Sequence, residues 1–236
     1  KILLDLSNFS TNIKVSNVIL IHDNKEIQLK NISTNFALRS FLKKKFGIKN
    51  VSIESKDNNL KDVINFVRIY KNNPQLIIFE KMLKSGSLNA KIELNFDKEG
   101  KIKENYNIKG LIKNAEIRLL NKDIVSNIDL NFDIQNQLYL IKNGNIKYKG
   151  IKFSSKEIKI TDQKKHFLIK GDINNKSINL DSEKLSIFFK KSLESLNFEN
   201  IKLSSDNNFS FKINKKLKIS DFSVKSRIKL DKLNYK

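Results

Sequence analysis

Histidine is the side chain most suited to moving protons near neutral pH or holding a metal. This 236-residue chain has only two, His22 and His166. His22 ends an apolar run and precedes Asp23-Asn24, which is the place of a turn residue, and His166 follows Lys164-Lys165, among cations. Neither has a second ligand or a nucleophile at a spacing that metal binding or covalent catalysis requires. Cys is absent, which excludes disulfides and thiolate metal sites. No P-loop, Rossmann glycine pattern or HExxH zinc motif occurs. The carboxylates are scattered singly over polar positions, where they are solvated rather than paired for acid–base work. The expectation is a protein that is not an enzyme, with no catalytic residue, no metal and no cofactor.

Charge is the remaining chemical signal. The chain carries 46 Lys and Arg against 25 Asp and Glu, a net charge of +21. A surplus of that size suits an anionic partner, either nucleic acid or phospholipid headgroups. Readers of bases and single strands lean on Arg and on exposed aromatic rings. Here Arg is scarce beside Lys, and most Phe residues fall on the apolar side of alternating segments. Phospholipid is therefore expected, and nucleic acid is not. Lys43, Lys44, Lys45 and Lys49, with Arg39, form one basic run suited to anionic headgroups. Lys212, Lys215, Lys216, Lys218, Lys225, Arg227 and Lys229 form another. For both, a solvated lysine face in a chain saturated with Lys, Asn and Ile is the plainer alternative.

The elements that must position these groups are strands. Apolar residues recur with period two, which puts them on one face of a strand. The cleanest set is Leu88, Ala90, Ile92, Leu94 and Phe96, interleaved with Asn89, Lys91, Glu93, Asn95 and Asp97. The pattern returns at Ile128, Leu130, Phe132 and Ile134, and at Phe222, Val224, Ile228 and Leu230, where Ser226 is the weak point. Shorter versions include Val51 and Ile53, Ile117 and Leu119, Ile158 and Ile160, Ile201 and Leu203, and Phe209, Phe211 and Ile213. Asp23-Asn24, Asp97 to Gly100, Asn143-Gly144, Asn174-Asn175 and Asp206-Asn207-Asn208 read as the turns between them. Short connections and one-faced strands predict antiparallel meanders.

One region has helical spacing instead. Leu60, Val63, Ile64, Val67 and Tyr70 follow an N-cap at Asn59 with Asp62 three residues on. Pro74 ends that helix and opens a second, with Leu76, Phe79, Met82 and Leu83 on its face and Gly86 as its stop. A helical insertion is thus expected over 57–86, within one elongated segment spanning 1–236. Residues 38–46 read as a further short helix or a twisted connection, and 183–196 fit helix and strand alike. Apolar residues are 39% of the chain, too many for disorder, and no run approaches the length of a transmembrane helix. The opening on Lys1 and the immediate strand pattern suggest an internal piece of a longer protein, continuing at both ends.

Every strand offers an apolar face, and two or three short helices are too few to cover it. The sheet must bury that face against itself, as a sandwich, a closed barrel or a strongly curved gutter. Scarce Gly and Pro argue against a sandwich. The fold expected is mainly β: a long curved antiparallel sheet folded into an open gutter with an apolar interior.

The order of features resembles the bacterial AsmA-like family of envelope proteins, of the YhdP and TamB type. The likeness rests on Asn12 to Val18 followed by a hairpin and Ile27 to Ile32, then Leu38 to Ile48 and the strand Val51 to Glu54. It continues through Gly86-Ser87-Leu88-Asn89-Ala90, the turn at Asp97 to Gly100, Ile108 to Ile117, and Phe167 to Ile173, covering about residues 10 to 180. The resemblance implies a periplasmic position, anchored to the inner membrane through a part of the parent chain not present here. It also implies a role in moving phospholipid toward the outer membrane, with envelope proteins as further partners. On that view Leu88 to Phe96, Ile117, Leu119, Ile128 to Ile134 and Phe222 to Leu230 line the lipid groove. A structural or assembly scaffold whose apolar face is covered by partner chains is the alternative, and a basic nucleic-acid-binding module is the second.

Overall fold

The computed structural model describes residues 2–5, 10–22, 24–38, 40, 46–70, 74–119, 122–181, 183–184, 198–216 and 218–235. The basic run Arg39, Lys43, Lys44 and Lys45 lies outside the described residues, as does nearly all of the ambiguous segment 183–196.

The chain is mainly β. Its strands are β1 (Ile2–Asp5), β2 (Ser10–His22), β3 (Lys25–Ala37), β4 (Ile48–Ser55), β5 (Asn58–Asn59), β6 (Leu83–Asn95), β7 (Asn107–Arg118), β8 (Ile124–Gln135), β9 (Leu138–Tyr148), β10 (Ile151–Asp162), β11 (His166–Asp181), β12 (Phe198–Asn214) and β13 (Ile219–Tyr235). Helices α1 (Leu60–Tyr70) and α2 (Pro74–Met82) stand between β5 and β6. All thirteen strands form one antiparallel sheet, ordered β1-β2-β3-β4-β6-β7-β8-β9-β10-β11-β12-β13, with β5 paired to β6. Apart from β5, which leaves β4 beside β6, each strand lies beside its sequence neighbour, as short antiparallel connections dictate. β1 and β13 are the two edges and do not meet, so the sheet is open. The twelve strands of the path span about 53 Å at the usual ~4.8 Å spacing.

Many strands run 11 to 17 residues, about twice the usual length. Alternation does not survive that distance unbroken. Asn17, Asn114, Asn127, Asn143 and Ser177 sit inside β2, β7, β8, β9 and β11 with φ of 54°, 50°, 51°, 52° and 49°. The left-handed conformation inserts a residue and resets the phase, as β-bulges do, and increases local twist. In β7 the apolar set is Ile108 and Ile112 before Asn114, then Ala115 and Ile117 after it. Register shifts at Ile112/Ala115, Ser126/Asp129, Ser154/Ile158 and Asn175/Ile178 align these irregularities into a crease across the sheet. Polar side chains take the N–H groups that the ladder loses there. Asn114 N–H donates to Asp129 Oδ1 at 2.8 Å, Glu157 N–H to Asp172 Oδ1 at 2.9 Å, and Ser205 N–H to Asn175 Oδ1 at 2.8 Å.

This corrects the reading of the turns. Asn143-Gly144, Asn174-Asn175 and Asp206-Asn207-Asn208 lie inside β9, β11 and β12. Asn tolerates left-handed φ and its amide pairs with backbone, properties that suit a bulge as well as a turn. The actual reversals include Lys149-Gly150, with φ of 49° and 80°, and Asn136-Gln137, with Asn136 at 49°. The Asp97 to Gly100 turn is as expected: Asp97 Oδ1 accepts the N–H groups of Glu99 and Lys101 at 2.8 and 2.9 Å.

The crease divides the sheet into two panels. The far panel runs toward the β2–β3, β7–β8 and β9–β10 turns and the helices. The near panel runs toward the β6–β7, β8–β9, β10–β11 and β12–β13 turns. Asn59 caps α1 as expected, its Oδ1 accepting Lys61 N–H at 2.9 Å. The helix sets Leu60 and Ile64 on Leu83, Ala115 and Ile128, the main buried cluster. An ion pair between Arg68 and Glu80 ties α2 to α1. Gly86 does not stop a helix. It lies in β6 with φ of 138°, where a Cβ would come within 2.7 Å of that of Ala115; the helix gives way to strand at Leu83, which is 1% exposed.

Burial opposes ionisation of Asp172, but the N–H groups of Glu157 and Lys156 and the Asn174 amide outweigh it and hold this carboxyl below its ordinary value. A depressed carboxylate stabilises the fold above its unfolded value, and that stability disappears as pH falls through the folded value. Asp172→Asn is expected to cost about 1 kcal/mol in urea unfolding at pH 7. The gap to the parent protein should close as pH falls below about 4, the ordinary carboxylate value. A gap that persists unchanged in acid would show that the carboxylate does not hold the crease.

Candidate functional site

On the near panel the strand registers bring apolar residues into rows that run across the sheet. The longest row is Val15, Ile32, Ile53, Ile92, Ile108, Ile134, Tyr139, Ile160, Ile169 and Phe211, one residue from each strand from β2 to β12, omitting the short β5. Beside it runs a second: Ala90, Gly110, Phe132, Ile141, Ile158, Gly171, Phe209 and Val224. Gly110 lets the Phe132 ring lie across β7: a Cβ there would stand 2.4 Å from Phe132 Cζ and 2.4 Å from the Asn89 carbonyl oxygen. Gly171 leaves room for Ile158 in the same way, with its Cγ1 2.9 Å from the Cβ position. The glycines therefore flatten the row and let bulky neighbours close over it.

Of the residues expected to line a groove, Leu88, Ala90, Ile92 and Leu94 share this face of β6, and Leu130, Phe132 and Ile134 share that of β8. Leu88, Leu130 and Ile117 pack against the cluster under α1, and Ile128 is buried within it, so these four serve as core on the helix side. Leu119 lies past the end of β7, where its N–H donates to the Asp123 carbonyl at 2.7 Å. Phe96 lies past β6, bridged to Ile102 and with its ring centroid 5.6 Å from that of Phe46. Phe222, Val224, Ile228 and Leu230 stand on the edge strand β13 and are exposed. Val224, Ile228 and Leu230 continue the inner face through Phe209, Ser205 and Leu203. Lys49 is exposed at the start of β4. The sequence reading missed Ile108, Tyr139, Ile141 and Ile169. Leu138 to Ile141 is apolar at every position, so only register shows that Tyr139 and Ile141 face inward.

The helices cover little of this surface. Inner-row residues from Ile32 to Phe211 are half-buried, and none is in the buried core. Buried apolar side chains concentrate in the cluster under α1 and in a small one of Ile151 and Leu180. The chain exposes 16317 Å², whereas a compact monomer of this mass exposes about 11,000 Å². The outer face is largely polar, with Leu111, Leu140 and Leu168 set beside Asn131, Asp133 and Lys212. It includes the row Glu54, Lys91, Lys109 and Asp133, with Lys109 Nζ 3.7 Å from Asp133.

Tyr148 O–H donates to Asp123 at 2.7 Å, which pushes the phenol above its ordinary value, and Lys149 Nζ lies 3.4 Å from the same carboxylate. This trio clasps the β7–β8 turn to the β9–β10 turn. His22 lies at a cleft of about 300 Å³ lined also by Asp62, Phe66 and Arg68. His166 begins β11, with a buried Nε2 that has no hydrogen-bond partner among the described residues. Among those residues, no group of three or more His, Asp or Glu is placed to hold a metal. No described helix is long and apolar enough to cross a membrane. No family model matches the chain, and no curated protein or solved structure is significantly similar to it.

Gly110→Ala is expected to destabilise the sheet by about 1–3 kcal/mol, because both close neighbours must shift. Gly144→Ala, whose Cβ would meet only Ser155 at 3.7 Å, should stay within about 0.5 kcal/mol. Urea unfolding midpoints of the two variants measure the difference. Equal midpoints would mean that Phe132 does not lie over Gly110.

Proposed function

We propose that this chain is a section of a bridge-like lipid-transfer protein, whose apolar inner face shields the acyl chains of phospholipids as they cross water between membranes. The observation that carries this reading is the ten-residue apolar row, continuous from β2 to β12 and left half-exposed. Each CH₂ kept from water is worth about 0.8 kcal/mol, so a ~16-carbon chain left in water would cost on the order of 12 kcal/mol. A row spanning nine strand spacings, about 43 Å, offsets much of that cost without concentrating affinity at one place. A tight, enclosed pocket would hold a lipid; a row of equivalent isoleucines lets it slide.

The role is non-catalytic. The likeness to AsmA-like proteins supports a periplasmic setting between inner and outer membrane, with an anchor in another part of the parent protein. The exposed edge β13 also suits the alternative of an envelope scaffold, with partner chains on the apolar face.

The test is to purify the chain from cells and extract it for phospholipid by mass spectrometry. Phospholipid should be recovered. The double variant Ile134→Asn, Ile160→Asn should retain about tenfold less while its melting temperature stays within a few degrees. Lipid-free protein carrying a stoichiometric protein partner would favour the scaffold, and lipid retention unaffected by the double variant would place the lipid elsewhere.

A further inference from the structure

An acyl chain on the near panel brings its headgroup to the near rim, where the hairpin turns carry the charge. Most described turns are balanced or neutral. The β2–β3 turn leads into Lys25 beside Glu26 at the start of β3, and the β8–β9 turn, Asn136-Gln137, is uncharged. The β6–β7 turn sets Lys98 and Lys101 against Asp97 and Glu99, with Lys101 Nζ 2.9 Å from Glu99. Across the sheet, Asp123 takes Lys149.

The β10–β11 and β12–β13 turns differ. Between them they hold Lys164, Lys165, Lys215, Lys216 and Lys218 and no carboxylate. The pairing of His166 with Asn214 makes the turns neighbours, about 10 Å apart at two strand spacings. Two acids flank the turns, of which Asp221 is paired with a cation and Asp162 keeps its charge. Asp162 accepts Lys164 N–H at 2.8 Å, and Asp221 pairs with Lys212 at 2.7 Å. The turn backbones are fixed, since Asn214 Oδ1 accepts the N–H groups of Lys216 and Lys218 at 2.9 and 3.0 Å. All five lysines are exposed, and none makes an ion pair with a described residue. Immediately inside the turns, the cross-strand set Phe167, Ile213 and Ile219 leads to the row that ends at Ile169 and Phe211. Ile219 is 62% exposed, and the nearby Phe222, whose ring lies 6.2 Å from that of Phe211, is 67% exposed.

We infer that this corner is a headgroup site selective for anionic phospholipids. The ammonium groups take the phosphodiester and any further negative charge, while the acyl chains enter the inner rows at Ile169 and Phe211. A zwitterionic headgroup brings its own cation into a cluster of five and is disfavoured there. The inference rests on the lipid-carrying role proposed for the groove.

The experiment exposes the protein to phosphatidylglycerol or phosphatidylcholine vesicles at about 150 mM salt, separates it and counts bound lipid. The parent protein should take up phosphatidylglycerol over phosphatidylcholine by about tenfold. Changing all five lysines to Gln should bring that ratio to about one, with phosphatidylcholine uptake unchanged. A control that changes five outer-face lysines, Lys113, Lys147, Lys152, Lys202 and Lys232, removes the same charge and should keep the preference. Uptake of both lipids with no preference, or a preference that survives the five turn substitutions, overturns the headgroup site and leaves the groove standing. Loss of the preference in the control as well assigns it to net charge and overturns the site too. Uptake of neither lipid removes the groove and the site together. Retention of duplex DNA that depends on the same five lysines, without lipid preference, would assign the corner to nucleic acid instead.

Discussion

Side chains on neighbouring strands share a face only where their registers agree, and here agreement is kept over twelve strands and through a crease. A one-residue slip moves every apolar side chain of a strand to the opposite face. The bulges at Asn114, Asn127, Asn143 and Ser177 are such slips, matched from strand to strand so that they cancel. Ala115 and Ile117 beyond the crease face the same way as Ile108 and Ile112 before it, and Ile112 and Ile117 pack against one cluster. Asp129, Asp172 and Asn175 supply the acceptors that make the shifted ladder tolerable. The apolar face, its rows and any ligand they carry depend on that matching.

The division of labour between the panels follows. The helical insertion lies over the far panel, where Leu60 and Ile64 meet Leu83, Ala115 and Ile128 to form a conventional core. This core secures the sheet and leaves the near panel free. The β13 edge is managed by charge. β13 alternates exposed Val224, Ile228 and Leu230 with Lys225, Arg227 and Lys229, and lysines along an edge disfavour pairing with a foreign strand. Surface ion pairs such as Lys30 with Glu54 at 2.7 Å add little, being exposed and screened.

Much of this architecture is legible in the sequence, because period-two alternation is a direct consequence of strand geometry. Leu88 to Leu94 and Leu130 to Ile134 identify their inward face without help, and Asn59 and Pro74 mark the helix starts. The misread turns share one cause. Asn-rich steps such as Asn143-Gly144 and Asn174-Asn175 have the chemistry of a turn, and only the partner strand decides whether the chain reverses or bulges. Parity does not carry across Asn114, so only Ile117 and Leu119 read as a strand at the end of β7, and the wholly apolar stretch Leu138 to Ile141 offers no parity at all. The lysines of the near-rim corner are visible as residues. That Lys164 and Lys165 stand beside Lys215, Lys216 and Lys218 requires the pairing of His166 with Asn214, a long-range fact that no local pattern encodes.

The central claim is that lipid lies on the inner face of the near panel. Photo-crosslinking residues placed singly at Ile108 and Ile160, and at their outward-facing neighbours Lys109 and Lys159, address it directly in the intact protein within cells. Irradiation should attach phospholipid at Ile108 and Ile160 and not at Lys109 or Lys159. Equal labelling of both faces, or a crosslinked polypeptide in place of lipid at the inner positions, would contradict the account.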